Sequence, residues 1–220
     1  MKLVPLGDQA VLVYTASEDA AIRLTAAVRK ANPGWLEEVV PAYASVGVFF
    51  DARTVNSANV IDWLTALRVS TAKSTAVGKT HRIPVCYERE LDLARVAKLS
   101  GLKKDDVIKR HTATEYTVYA IGFVPGFPYL GYLPPELSQV PRLDSPRTRV
   151  EPGSVGLTGR QTGIYPLARP GGWNLIGRTP VTIVDVTTGF FPLRVGDTVQ
   201  FERIDEAEYT RRDGQRLESV

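Results

Sequence analysis

The sequence predicts an α+β protein in two parts. A small split-βαβ (ferredoxin-like) domain occupies residues 1–80, an antiparallel β-barrel or sandwich occupies residues 81–210, and a charged tail over residues 211–220 frays. Three observations carry this reading. Through the first part the apolar residues switch between a period of two and a period near that of a helix, in the order β, α, β, β, α, β. In the second part, short apolar runs around Val150, Leu157, Asn174, Thr182 and Val199 are separated by Gly and Pro turns, as in antiparallel all-β architectures. Third, the stretch from Gly122 to Pro180 holds ten glycines and ten prolines, a density usual in linkers that bury too little apolar surface to fold. It nevertheless interleaves those turn formers with Phe123, Phe127, Tyr129, Tyr132, Ile164, Tyr165 and Trp173, for which a solvated linker has no use.

Taken in order, Gln9 to Tyr14 is an apolar, partly β-branched run that reads as the first strand. Ser17 caps a helix from Glu18 to Ala31, whose Ala21, Leu24, Val28 and Ala31 share one face, and Asn32, Pro33 and Gly34 stop it. Strands follow at Glu37 to Val40 and Ser45 to Asp51, and a helix near Ala58 to Ala72 turns Val60, Ile61, Leu64 and Leu67 to one side. Thr80 to Cys86 then completes the small domain as its last strand. No chemistry is visible in this half, which reads as a scaffold or a docking surface for a partner. Two short helices come next, Leu91 to Ser100 ending at Gly101 and Lys104 to Arg110 carrying Val107 and Ile108 inward. Thr114 to Phe123 alternates as a strand entering the second domain.

Composition excludes several classes of function. The 27 basic and 24 acidic residues give a net charge of +3 and are dispersed, so nothing favours a nucleic-acid partner. Cys86 is the single cysteine, which excludes an internal disulfide, and no Cys or His pair has metal-ligand spacing, so no metal site is expected. Met1 to Gly7 lacks the apolar core of a signal peptide, and no apolar run approaches the roughly 20 residues of a membrane span. A soluble cytoplasmic protein without a membrane partner is expected.

Familiar catalytic motifs fail on single residues. Pro152 to Gly156 imitates a nucleophile elbow, but the first glycine stands one place late, so Ser154 reads as a turn hydroxyl that also lines a substrate site. No lysine follows Lys109, which leaves no lysine in the Gly/Pro-rich stretch to pair with Ser154 and no Walker-type phosphate loop there. Anion recognition then falls to arginine. Arg142, Arg147, Arg149, Arg160, Arg169 and Arg178 face only Glu136, Asp144 and Glu151 within the Gly/Pro-rich stretch. Arg147 and Arg178, each beside a Pro or Thr179-Pro180 turn, are the candidate catalytic cations, and surface ion pairing accounts for most of the rest. Arg160, Gln161, Thr162 and Tyr165 form a compact polar group suited to amide or carboxylate edges. Gly126, Phe127 and Tyr129 in one tight turn, with Trp173 and Thr179, complete the candidate substrate contacts, although the aromatics would serve equally as barrel filling. Of the two histidines, His81 reads as structural. His111 closes a helix, where the dipole favours its protonated form, and is the candidate acid–base residue.

The runs Glu115 to Leu133 (EYTVYAIGFVPGFPYLGYL) and Pro146 to Pro180, with Gly7-Asp8 and VVPAYASVGVFFD in the first half, resemble the B subunit of bacterial 5-oxoprolinase. That family is also known as allophanate hydrolase subunit 1 or the sporulation kinase inhibitor family. The resemblance covers nearly the whole chain and implies that the second domain is a cyclophilin-like β-barrel. It further implies a complex in which this chain joins a second cyclophilin-like protein, the C subunit, and a separate A subunit to open 5-oxoproline to glutamate with ATP. Magnesium would arrive with the nucleotide, and Asp144, Glu151 and Asp185 are the carboxylates from which a ligand would be drawn. Inhibition of a sensor histidine kinase and allophanate-type amide hydrolysis are the alternatives the same resemblance carries. Two positions depart from the family pattern: Glu151 replaces a small residue, and Lys103 replaces a helix-capping Ser or Thr.

Overall fold

The structure, a computed structural model, describes residues 1–70 and 78–218. Contacts divide the chain into two compact units, Met1–Val77 and Gly78–Val220.

The first unit runs β1 (Lys2–Pro5), β2 (Ala10–Tyr14), α1 (Glu18–Ala31), β3 (Leu36–Ala42), β4 (Ser45–Phe50) and α2 (Ser57–Ala66). Its sheet has the order β1-β2-β4-β3, and every neighbouring pair is antiparallel. Alternation places Val11, Val13, Val46, Val48 and Phe50 on one face, where they pack against Ala21, Leu24 and Val28 of α1 and Val60 and Leu64 of α2. Ser17 accepts from the Ala20 N–H at 3.2 Å to start α1, and Asn32 ends it in the left-handed region at φ 40. One strand changes place relative to expectation. Thr80–Cys86 belongs to the other unit, and β1, formed from the short run before the Gly7 turn, supplies the fourth strand of this sheet. A period of two identifies a strand but does not say which sheet it joins. The second helix ends at Ala66 rather than Ala72; Thr71 and Ala72 lie outside the described residues.

The second unit opens with β5 (Thr80–Cys86), α3 (Leu93–Ser100), α4 (Lys104–Ala113), β6 (Glu115–Ile121) and β7 (Pro128–Gly131). It continues through β8 (Arg147–Val150), β9 (Ser154–Thr158), β10 (Gln161–Ile164), β11 (Arg169–Gly171), β12 (Asn174–Arg178), β13 (Thr198–Ile204) and α5 (Glu206–Arg212). Seven of these strands close a barrel in the order β10-β7-β6-β13-β5-β12-β9, so the α+β class with a barrel as its second part stands, and the sandwich is excluded. The pairing is antiparallel except between β13 and β5, which run parallel from Thr198 opposite Thr80 to Ile204 opposite Cys86. Ile83, Val85, Val118, Leu130, Val155, Leu157, Ile176 and Phe201 fill the interior, and Val96, Ala97, Val107 and Ile108 of α3 and α4 join the same core.

Asp92 stands at the N-cap of α3 yet makes no capping bond, and Glu90 accepts from the Leu93 N–H at 2.8 Å instead. Asp92 is thereby available for the barrel wall. Lys103, at the N-cap of α4, also leaves that end without a side-chain cap, while Asp105 and Asp106 complement the dipole in the first turn. Over its described residues, 211–218, the tail is tied down rather than frayed. Gly214 donates to Pro180 O at 3.1 Å, Thr182 to Gln215 O at 2.7 Å and Leu217 to Thr182 O at 3.0 Å, with the Leu217 side chain buried. Among the described residues no helix is long and apolar enough to cross a membrane.

Candidate functional site

Two clefts on the barrel unit bring together six of the predicted site residues, Phe127, Tyr129, Tyr165 and Trp173 in one and Ser154 and Arg178 in the other. The first is built by the loop between β6 and β7. Val124 donates to Gly122 O at 2.8 Å and Phe127 to Val124 O at 3.1 Å, closing a tight turn whose centre, Phe123, is driven to φ 67. A bulky residue in that region is strained by about 1–3 kcal/mol. The turn leaves Phe123 59% exposed at the rim of a cleft of about 240 Å³. Phe127 forms its floor, edge-on to Tyr165 at 5.2 Å and to Trp173 at 5.4 Å, while Tyr129 stands 5.9 Å from Trp173. The expected contacts Phe127, Tyr129, Tyr165 and Trp173 therefore meet in one place.

Glycine shapes this cleft twice. Gly171 lies beneath the Tyr165 phenol, where a Cβ would stand 2.3 Å from the hydroxyl oxygen. Gly126, at φ +74, passes so close to Val184 that a Cβ would stand 2.2 Å from its Cγ2. Gly126→Ala is expected to cost about 2 kcal/mol in urea denaturation, because strain and overlap act together. Gly101→Ala, at φ +67 with nothing within 4 Å, isolates the strain and should cost about 1 kcal/mol. Equal losses would show that the Val184 contact relaxes freely.

The second cleft, of about 360 Å³, is lined by Arg89, Arg149, Glu151, Ser154 and Arg178 among others. Arg89 is paired with Glu206 at 2.9 Å and Arg149 with Glu151 at 2.6 Å. The Arg149 hydrogen bond holds the Glu151 carboxyl below its ordinary range. Arg178 donates through Nε to Pro152 O at 3.0 Å, and no carboxylate pairs with it among the described residues. Arg178 is therefore the arginine of this cleft without an ion-pair partner among the described residues, although its charge also lowers the Glu151 carboxyl.

The remaining predicted residues are dispersed, so the arginines do not share one hollow. Arg147 reaches inward, donating to Asp92 Oδ1 at 2.8 Å, while Asp92 Oδ2 accepts from the Leu175 N–H at 2.7 Å. It is a structural cation, and its Nη1 is buried without a partner. Arg160 stacks on the Tyr132 ring at 4.0 Å. Gln161 opens β10 opposite Gly131, and Thr179 is buried, its hydroxyl accepting from the Val181 N–H at 3.3 Å.

His111 is the clearest departure. Its ring is fully buried, stacked on Phe201 at 4.5 Å. The Thr162 hydroxyl donates to Gly156 O at 3.0 Å and so accepts from the imidazole Nε2–H at 2.9 Å, leaving Nδ1 to accept from the Tyr87 hydroxyl at 2.7 Å. Each proton in the series is used once, which assigns the neutral Nε2–H tautomer. Burial pushes the pKa down to about 3, opposite to the shift expected from the helix end. Desolvation of a fully enclosed imidazolium outweighs a terminal dipole worth at most about 2 kcal/mol. His111 is a fully buried core residue with both ring nitrogens hydrogen-bonded within the barrel. The same network takes Thr162 out of the ligand contacts.

The carboxylates considered for magnesium do not converge. Glu151 is held by Arg149, Asp185 by Thr188 at 2.7 Å and Arg216 at 2.9 Å, and no group of three or more potential ligand side chains occurs among the described residues. Among the described residues the three carboxylates do not form a shared ligand cluster.

A four-stranded α/β unit followed by a closed barrel is the architecture to which the comparisons apply. The family model for the carboxyltransferase domain, subdomain C and D, matches residues 1–189. The chain is 36% identical to the 5-oxoprolinase B subunit of Bacillus subtilis (strain 168), over 93% of each chain. It is 40% identical to the 5-oxoprolinase B subunit of Haemophilus influenzae, over 91% of this chain and 97% of the relative. The crystal structure of TTHA0988 in space group P212121 matches with a TM-score of 0.79 at 35% identity, over 90% of this chain and 40% of that longer one. The chain belongs to the family of 5-oxoprolinase B subunits.

Proposed function

We propose that this chain is one component of a cytoplasmic, ATP-dependent 5-oxoprolinase, working with a second cyclophilin-like protein, the C subunit, and a separate A subunit to open 5-oxoproline to glutamate. The observation that carries the reading is the near full-length relationship to proteins of that name, at 36% and 40% identity. The barrel surface is compatible with the chemistry. A lactam is held by amide resonance, so its carbonyl carbon is a poor electrophile until its oxygen carries charge or a leaving group. ATP supplies that activation at the level of the complex. What this chain offers is placement: an aromatic cleft of ring size and, in a second cleft, the Arg178 guanidinium, which makes no ion pair among the described residues.

Co-expression of the three proteins, with glutamate followed from 5-oxoproline in the presence and absence of ATP, tests the proposal. ATP-dependent turnover is expected, and Arg178→Ala in the assembled complex should lower kcat/KM by about tenfold or more. A complex that assembles but releases no glutamate would end the reading. Unchanged kcat/KM in Arg178→Ala would remove only that residue.

A further inference from the structure

The aromatic cleft has one charged residue on its rim, Arg142, which nothing in the sequence distinguishes from its five neighbouring arginines. The structure distinguishes it. Arg142 is exposed, and among the described residues neither a carboxylate nor an aromatic face engages its guanidinium. Its backbone is nevertheless fixed on both sides. Pro141 O accepts from Nδ2 of the fully buried Asn174 at 2.8 Å, and the Leu143 N–H donates to Gly172 O at 2.8 Å. A long cation on a tethered segment, left without a partner beside an apolar hollow, is an anion receptor.

The lining decides the sign and size of the ligand. Cages of aromatic rings commonly take cations, whose charge suits the negative ring faces. Here no acidic residue lines the cleft and a guanidinium guards it, so a cationic ligand is repelled. The volume of about 240 Å³ lies below the roughly 300–1,000 Å³ typical of drug-sized ligands, which leaves room for a single small ring. Tyr129 and Tyr165 are both held above the ordinary phenol range by burial, with the positive charge of Arg142 acting in the opposite sense, so both hydroxyls stay protonated at neutral pH. Tyr129 and Tyr165 each keep an O–H with which to donate to a ligand oxygen.

We infer that this cleft binds a small planar ring bearing a carboxylate, with the ring among Phe127, Tyr165 and Trp173, the strained Phe123 covering it, and the carboxylate on Arg142. Naming that ring as the lactam of 5-oxoproline rests on the function proposed above; the ligand class does not. Arg142 is then the specificity-determining residue for the acid group, and a phenol hydroxyl, that of Tyr129 or Tyr165, reads the ring carbonyl.

The test follows the indole N–H resonance of Trp173, assigned among the three tryptophans with Trp173→Phe, in the full-length chain and in the assembled complex. Two probes are titrated: 5-oxoproline, and 2-pyrrolidinone, the same lactam ring without the carboxylate. Saturable shifts are expected, with 2-pyrrolidinone weaker by about tenfold or more, the ordinary worth of a charge-assisted pair. Arg142→Ala should erase that difference and Arg142→Lys restore part of it. Phe123→Gly, which relieves the positive φ and so preserves folding, should weaken both probes equally. Unchanged 5-oxoproline affinity in Arg142→Ala, or no Trp173 response in either preparation at about 10 mM, a concentration that detects even millimolar affinity, would overturn the inference. Turnover by the complex with an Arg142-independent KM would sink the cleft and leave the enzyme reading intact. An Arg142-dependent Trp173 response in a complex without turnover would do the reverse.

Discussion

Acidification from pH 7.5 to pH 5 is expected to remove about 2 kcal/mol of folding stability through His111 alone, rising toward about 4–5 kcal/mol near pH 3. In the unfolded chain this imidazole titrates near its ordinary 6.5, whereas in the folded barrel burial lowers it to about 3. Between those values the unfolded state binds a proton that the folded state refuses. Stability from this group is therefore complete above pH 6.5 and is lost progressively as pH falls through the window. The hydrogen-bond series sharpens the effect, because a proton on Nδ1 would meet the Tyr87 hydroxyl at 2.7 Å, which already donates there. Urea denaturation at several pH values should show a steeper slope between pH 5 and 7 for the native chain than for His111→Gln. Gln cannot titrate, and its amide can still donate toward Thr162. Parallel slopes would mean that His111 accepts a proton in the fold.

Arg147→Ala should cost about 2–4 kcal/mol, somewhat less than for a fully buried ion pair because the Arg147 side chain keeps 27% exposure while Asp92 keeps 8%. The carboxylate left behind is Asp92, buried against the barrel wall and bonded at 2.7 Å to the Leu175 N–H. The loss belongs to the stranded charge rather than to the pair itself. Combining Arg147→Met with Asp92→Asn should therefore cost less than Arg147→Ala alone, since Asn keeps an acceptor for Leu175 and carries no charge. A double variant as unstable as the single one would show that the guanidinium stabilises by packing. Such a result would also redirect attention to the unpartnered Nη1.

The elements legible in the sequence are those whose signals are local. Ser17 caps α1 and Gly101 ends α3 in the left-handed region at φ 67, because both depend on residues within one turn. The aromatic cleft is legible in part, since Phe127, Tyr129, Tyr165 and Trp173 stand out as large side chains among turn formers. Partnerships across the chain are not. Arg147 reads as an aimed cation because its carboxylate lies 55 residues earlier, at a position that resembles a helix cap. Arg142 reads as ordinary because lacking an acid is a property of the surroundings, not of the residue. His111 misleads in the same way: a helix end is visible in sequence, but the rings of Phe201 and Tyr116 that enclose it are not. Thr80–Cys86 is recognisable as a strand, yet its parallel neighbour, β13, lies at the far side of the domain in sequence.

That parallel pair has a consequence for biosynthesis. β13 stands between β5 and β6, both made long before it, so until Ile204 has left the ribosome the two earlier strands face each other across a missing stave. The nascent sheet carries two raw edges throughout that interval, the condition under which intermolecular strand exchange is fastest. Closure is then limited by a distant encounter rather than by local zippering, which makes a chaperone or an early-binding companion protein most valuable in the moments before the circuit is sealed.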